Sequence, residues 1–93
     1  MSTDEQLIAM LSAVQAADDA GTPMDNEMLA KALGWELADI ARSLQAAKSQ
    51  SLVWGWREAR LPGPWFTTLE LTVQGRRFLR SYRQATADSS LDT

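Results

Sequence analysis

The sequence predicts a mostly helical α+β fold, built from three helices, a two-stranded hairpin and a C-terminal helix. Apolar residues recur at helical spacing through the first half of the chain, strand-like alternation follows Ser51, and helical spacing returns after Thr72. Because only a short break at Gly34 and Trp35 separates the second and third helical patterns, we expect a tight turn between these two helices.

The first helix is predicted over about residues 4–20. Gly21 can adopt the left-handed conformation that ends a helix. Thr22, Pro23 and Met24 cannot continue it, since proline disfavours the helical conformation of the residue before it. This segment can add a very short strand.

Asp25 or Asn26 is predicted to cap the second helix, which ends at Gly34. The third helix is predicted over residues 37–49, because its apolar residues keep a spacing of three and four. These residues are Leu37, Ile40, Leu44 and Ala47.

The hairpin is predicted from two aromatic or β-branched segments, residues 52–56 and 65–71. Leu69 and Leu71 alternate onto one face of the second segment. The connection at residues 57–64 contains two prolines and a glycine, which favour a turn.

Thr72 is placed to cap the last helix, predicted over about residues 73–83. Residues 84–93 are mostly small and polar and show no apolar period, so we expect a disordered C-terminal tail. The predicted organisation is one domain over residues 1–83, followed by this tail.

The composition argues against catalysis. The chain has neither cysteine nor histidine, and no pair of carboxylates lies in an apolar setting that would tune a pKa. We therefore expect no enzymatic activity and no cofactor. The first residues are acidic, without a cleavage-site pattern, and no apolar run approaches the length of a membrane span, so a cytoplasmic protein without membrane contact is expected.

The net charge of −3 hides an asymmetry along the chain. Residues 1–47 carry eight acidic residues against Lys31 and Arg42, whereas residues 48–83 carry seven basic residues against Glu58 and Glu70. A polyanion would respond to the local field of the basic half. The acidic total therefore does not exclude a nucleic-acid partner.

Two stretches of the chain have a distinctive spacing. The first contains Leu29, Ala30, Leu33, Gly34, Ile40 and Leu44, followed by Leu52 and Val53. The second is Leu71-Thr72-Val73-Gln74-Gly75-Arg76-Arg77-Phe78-Leu79. Together they resemble the winged helix-turn-helix domains of bacterial transcriptional regulators, especially the MarR and PadR groups, over most of residues 4–83. The resemblance implies that Thr72 caps the last helix and that Gly75 permits close packing.

The resemblance also implies a DNA-binding transcriptional regulator. In such domains the third helix enters the major groove, and the hairpin, or wing, contacts the backbone or the minor groove. Carried over to this chain, the implied DNA-binding residues are Ala38, Arg42, Gln45, Lys48, Ser49, Arg57 and Arg60. Asp39 and Glu36 depart from this pattern, because carboxylates near phosphates oppose binding. Stabilisation of the helix N-terminus explains Glu36.

An alternative is a winged helix that binds protein and not DNA. Trp54, Trp56 and Trp65 can either fill the core or form an exposed aromatic surface on the hairpin. The arginines of the last helix, including Arg76 and Arg80, can face solvent, pair with the acidic first helix, or meet a second copy of the chain. A homodimer is expected, with these tryptophans and arginines as the candidate interface.

Overall fold

The computed structural model describes residues 3–91 and has the predicted order of elements. Four helices and two strands follow one another along the chain: α1 (Thr3–Asp19), α2 (Asn26–Leu33), α3 (Leu37–Ser49), β1 (Val53–Glu58), β2 (Trp65–Leu71) and α4 (Val73–Leu91). The predicted α+β class is confirmed. None of the helices described is long and apolar enough to span a bilayer.

The core lies where α1 packs against the other three helices and β2. The helical spacing of apolar residues on α1, α3 and α4 turns one face of each helix inward. The fully buried apolar side chains at the centre include Met10, Leu11, Val14, Leu29, Ile40, Leu44, Leu69 and Leu79.

The two strands form an antiparallel hairpin, the wing. Val53 pairs with Leu71 and Trp54 with Glu70, but Trp56 pairs with Thr67, so β2 carries an extra residue in a bulge. Thr68 within the bulge has a φ of 52°. The predicted short strand at residues 22–24 does not form. Met24 instead accepts one backbone hydrogen bond, of 2.9 Å, from the N–H of Leu69.

The junction between the wing and α4 is closed by Thr72 and Gly75. The Thr72 hydroxyl donates to the Ser51 carbonyl at 2.6 Å and accepts from the Gly75 N–H at 3.0 Å, which confirms the predicted N-cap. Gly75 is buried, and a Cβ at this position would overlap the carbonyl oxygen of Leu52. The glycine therefore permits the close approach that the resemblance implied.

The end of α4 differs from the prediction. The helix continues to Leu91, which corrects the expected disordered tail for residues 84–91. These residues include alanines and no glycine or proline, so nothing in them stops a helix. Residues 92 and 93 lie outside the described part of the chain.

Candidate nucleic-acid interface

The turn between α2 and α3 fixes the direction of α3. Gly34 has a φ of 68°, and its N–H donates to the Ala30 carbonyl, as does the Trp35 N–H at 3.1 Å. Trp35 is half-buried and packs against the core. The two helices thus form the helix-turn-helix implied by the resemblance, with a rigid connection.

The outer face of α3 is exposed along the helix. The buried residues of α3 lie on the opposite face and are Ile40, Ala41, Ser43, Leu44 and Ala47. The predicted DNA-binding residues of this helix are all exposed: Ala38, Arg42, Gln45, Lys48 and Ser49. Their contact with DNA stays a prediction.

Two of these side chains interact with each other. The Ser49 hydroxyl donates to the Gln45 carbonyl at 2.8 Å, and the Gln45 side-chain N–H donates to the Ser49 oxygen at 3.3 Å. These bonds hold the Gln45 amide along the helix. Bidentate recognition of adenine by Gln45 therefore requires the amide to leave Ser49.

Arg42 is paired with an acidic neighbour. Its guanidinium lies 2.8 Å from the Asp39 carboxylate, one helical turn earlier. Both side chains reach solvent, so this ion pair is a weak source of stability. Its effect is on the local field, because Asp39 neutralises the most central basic residue of the exposed face.

The loop at residues 59–64, here named the wing loop, lies beside α3. An open groove of about 420 Å³ is lined on one side by Ala38, Arg42 and Gln45 and on the other by residues 62–64. The fold therefore brings the outer face of α3 and the wing loop together along one surface.

The two arginines of the wing are exposed. Arg57 is near the end of β1, and Arg60 lies in the wing loop, with its guanidinium carbon 4.0 Å from the centre of the Trp65 ring. This cation–π contact restrains the Arg60 side chain while leaving its N–H groups able to reach an anion. If these arginines only keep the hairpin soluble, their removal leaves DNA binding unchanged.

Asn26 anchors the wing loop, a role that the local sequence around it does not indicate. The helix cap is Asp25, whose carboxylate accepts from the Met28 N–H at 2.8 Å. The fully buried Asn26 side chain instead donates to the Pro64 carbonyl at 3.0 Å and accepts from the Phe66 N–H at 2.9 Å. The sequence signal for this role of Asn26 is indirect: two polar residues, Asp25 and Asn26, stand where one residue is enough to cap the helix.

The three hairpin tryptophans divide into two environments. Trp65 is 1% exposed, so the prediction that it belongs to a partner interface is wrong. Trp54 and Trp56 are 42% and 63% exposed and contact each other edge-to-face, with ring centroids 5.2 Å apart. They remain candidates for an interface because the core does not absorb them.

Arg76 and Arg80, the two arginines of α4 predicted at a dimer interface, have different surroundings. Arg76 lies 2.7 Å from Asp18 and 3.4 Å from Asp19 at the end of α1, which is the pairing with the acidic first helix that the sequence left open, and its place in a dimer interface stays a prediction. The reason is that α4 packs beside α1 and meets its acidic end. Arg80 is exposed, and its place in a dimer interface stays a prediction.

Comparison with known proteins bears on the fold. No protein-family model matches the chain, and a search of curated proteins also finds no match. Among solved structures, the chain is similar to the adhesin competence repressor AdcR from Streptococcus pyogenes, with a TM-score of 0.57 and 22% sequence identity. The match covers 99% of this chain but 60% of the repressor's chain. This likeness identifies the four helices and hairpin as a winged-helix fold.

Proposed function

We propose that the protein is a transcriptional regulator that binds double-stranded DNA through α3 and the wing loop. The observation that carries the proposal is the shared groove, because both surfaces that a winged helix applies to DNA border it. The chain is similar in structure to a protein that is named a repressor, which is consistent with this role. A non-enzymatic, cytoplasmic homodimer of the MarR or PadR type is part of the same proposal.

The predicted contacts divide by chemistry. Arg57 and Arg60 are suited to phosphate or narrow minor-groove contact, and Lys48 can add a phosphate contact at the end of α3. Ala38 can touch only a thymine methyl group, whereas Arg42 is able to form a bidentate contact with guanine. Backbone contacts are expected to supply most of the affinity, because few side chains on α3 can read bases.

The test is a fluorescence-anisotropy titration with mixed genomic DNA fragments at about 50 and 200 mM salt. We expect affinity to fall steeply with salt, and Arg57→Ala/Arg60→Ala to weaken binding by about tenfold or more and to flatten the salt dependence. The matched control is Arg77→Ala/Arg83→Ala, which removes the same charge from exposed positions on α4. Absence of binding at the lower salt, or equal losses in both double variants, contradicts the proposal.

A second prediction concerns the ion pair on α3. We expect Asp39→Asn to raise DNA affinity by about fivefold, since it removes a carboxylate near the phosphates and releases Arg42. The measurement is the same titration at fixed salt. Glu36→Gln is the control, because Glu36 is exposed and forms no side-chain cap bond at the start of α3.

The two effects of Asp39→Asn can be separated with Arg42→Ala. If Arg42 binds DNA once released, the gain from Asp39→Asn shrinks in the Arg42→Ala background. A gain of equal size in both backgrounds, or an equal gain from Glu36→Gln, indicates general charge removal and excludes Arg42 as a DNA contact.

A further inference from the structure

The outer surface of the wing carries an exposed aromatic pair between two carboxylates. Trp54 and Trp56 contact each other with ring planes 69° apart. Glu70 is the cross-strand partner of Trp54, and Glu58 follows Trp56 by two residues on β1, so strand alternation puts both carboxylates on the side of the tryptophans. Both glutamates are exposed. These residues, Trp54, Trp56, Glu58 and Glu70, are named the aromatic face.

The backbone beneath this face is tightly held. Gly55 lies between the two tryptophans, and a Cβ there would come within 3.1 Å of the Leu69 side chain and the Thr67 carbonyl. The bulge at Thr68 shifts the pairing register at this point, between Trp54 and Trp56. The pair is therefore built on a closely packed hairpin, and a ligand would meet a surface that needs little ordering on binding.

We propose that the aromatic face binds an arginine-bearing segment of a partner protein. A guanidinium group is planar, so it can stack on an indole ring while its N–H groups bind a carboxylate in the same region. Trp56 with Glu58, and Trp54 with Glu70, each offer this combination. Within this chain, a guanidinium group already stacks on an indole ring, where Arg60 lies over Trp65.

The charge of the face selects among occupants. Within residues 3–91, neither Glu58 nor Glu70 forms a salt bridge, so both carboxylates are available to a ligand, although Arg57 and Arg60 line the same groove as Glu58. Phosphates are repelled by these carboxylates, which disfavours nucleic acid on this face. A lysine is a poorer occupant than an arginine, because its ammonium cannot stack in a plane or bind a carboxylate through two parallel bonds.

This surface is separate from the proposed DNA-binding groove. The groove is lined by α3 and residues 62–64, and none of the four residues of the aromatic face borders it. Glu58 shares a second groove with Arg57 and Arg60, so the two proposed surfaces adjoin at that end of the wing. Failure of DNA binding leaves this inference intact, and the reverse also holds.

The test is an NMR titration of the indole N–H signals with three synthetic peptides of equal length that contain repeated arginine, lysine or glutamate. We expect the arginine peptide to shift the signals of Trp54 and Trp56 while those of Trp35 and Trp65 stay in place. Trp56→Ala is expected to weaken binding of the arginine peptide by about tenfold, and Glu58→Gln to weaken it by about threefold. Trp56 is mostly exposed, so its removal leaves the core intact.

Glu36→Gln is the matched control, because it removes one exposed carboxylate from α3 and should leave peptide binding unchanged. Equal binding of the arginine and lysine peptides, or equal losses in Glu36→Gln and Glu58→Gln, overturns the inference in favour of general attraction to an acidic protein. Sedimentation analysis tests the other occupant. A dimer that dissociates in Trp56→Ala would show that a second copy covers this face, which also overturns the inference.

Discussion

Gly75→Ala is expected to lower the free energy of unfolding by about 2–3 kcal/mol, even though alanine is the better helix former. The new methyl group would overlap the Leu52 carbonyl oxygen, which is backbone and has no rotamer to change. Overpacking against such a group costs roughly 3 kcal/mol or more, and the gain in helix propensity returns at most about 1 kcal/mol. The helix must therefore move away from the segment before β1.

Movement of α4 would break a specific set of contacts. Thr72 links the carbonyls of Ser51 and Leu52 to the start of the helix, through its hydroxyl and its N–H respectively. Leu79, two turns further along, is 1% exposed in the core. Displacement of the helix start thus loosens both its cap and its buried face.

Urea denaturation monitored by circular dichroism measures this effect. Gln74→Ala is the control, since Gln74 is the exposed neighbour of Gly75 in the same helical turn and its replacement should change stability by less than about 0.5 kcal/mol. Equal stability of the Gly75→Ala protein and the wild type would show that Leu52 and α4 do not approach as closely as described.

Asn26→Ala is expected to lower the free energy of unfolding by about 3 kcal/mol and to loosen the wing loop. It leaves the Pro64 carbonyl and the Phe66 N–H without their side-chain partner in a buried place, and each unsatisfied group costs about 1–3 kcal/mol. The loop borders the proposed DNA-binding groove, so we also expect weaker DNA binding.

Hydrogen exchange gives the local measurement, with the Phe66 amide expected to exchange much faster in Asn26→Ala. The control is Asp25→Ala, which removes the helix cap next to Asn26 and should cost only about 1 kcal/mol without exposing the Phe66 amide. Protection of Phe66 equal to that of the wild type would mean that Asn26 does not anchor the loop.

The predictions that the structure confirms concern residues whose roles depend on near neighbours in the sequence. Gly34 ends α2 with a positive φ, and Thr72 caps α4 through a residue three positions away. The exposed face of α3 followed from the spacing of Ile40, Leu44 and Ala47. These features depend on interactions within about one helical turn, which the order of residues displays directly.

Roles that depend on distant residues were missed or left open. Asn26 resembles a helix cap in sequence, yet its partners lie 38 and 40 residues away. Arg76 pairs with Asp18 across 58 residues, and local spacing does not distinguish this pairing from exposure to solvent or contact with a second copy. Trp65 and Trp56 are both tryptophans on a strand of the hairpin, but Trp65 is 1% exposed and Trp56 is 63% exposed.

Periodicity and capping are local, so the order of helices and strands, the tight turn before α3 and the cap of α4 are all evident from the order of residues. The burial of individual tryptophans, the ion pairing of Arg76 and the position of the wing loop beside α3 become evident only once the chain is folded. Burial and ion pairing depend on which distant segments come into contact when the core forms, and the spacing of residues along the chain does not specify those contacts.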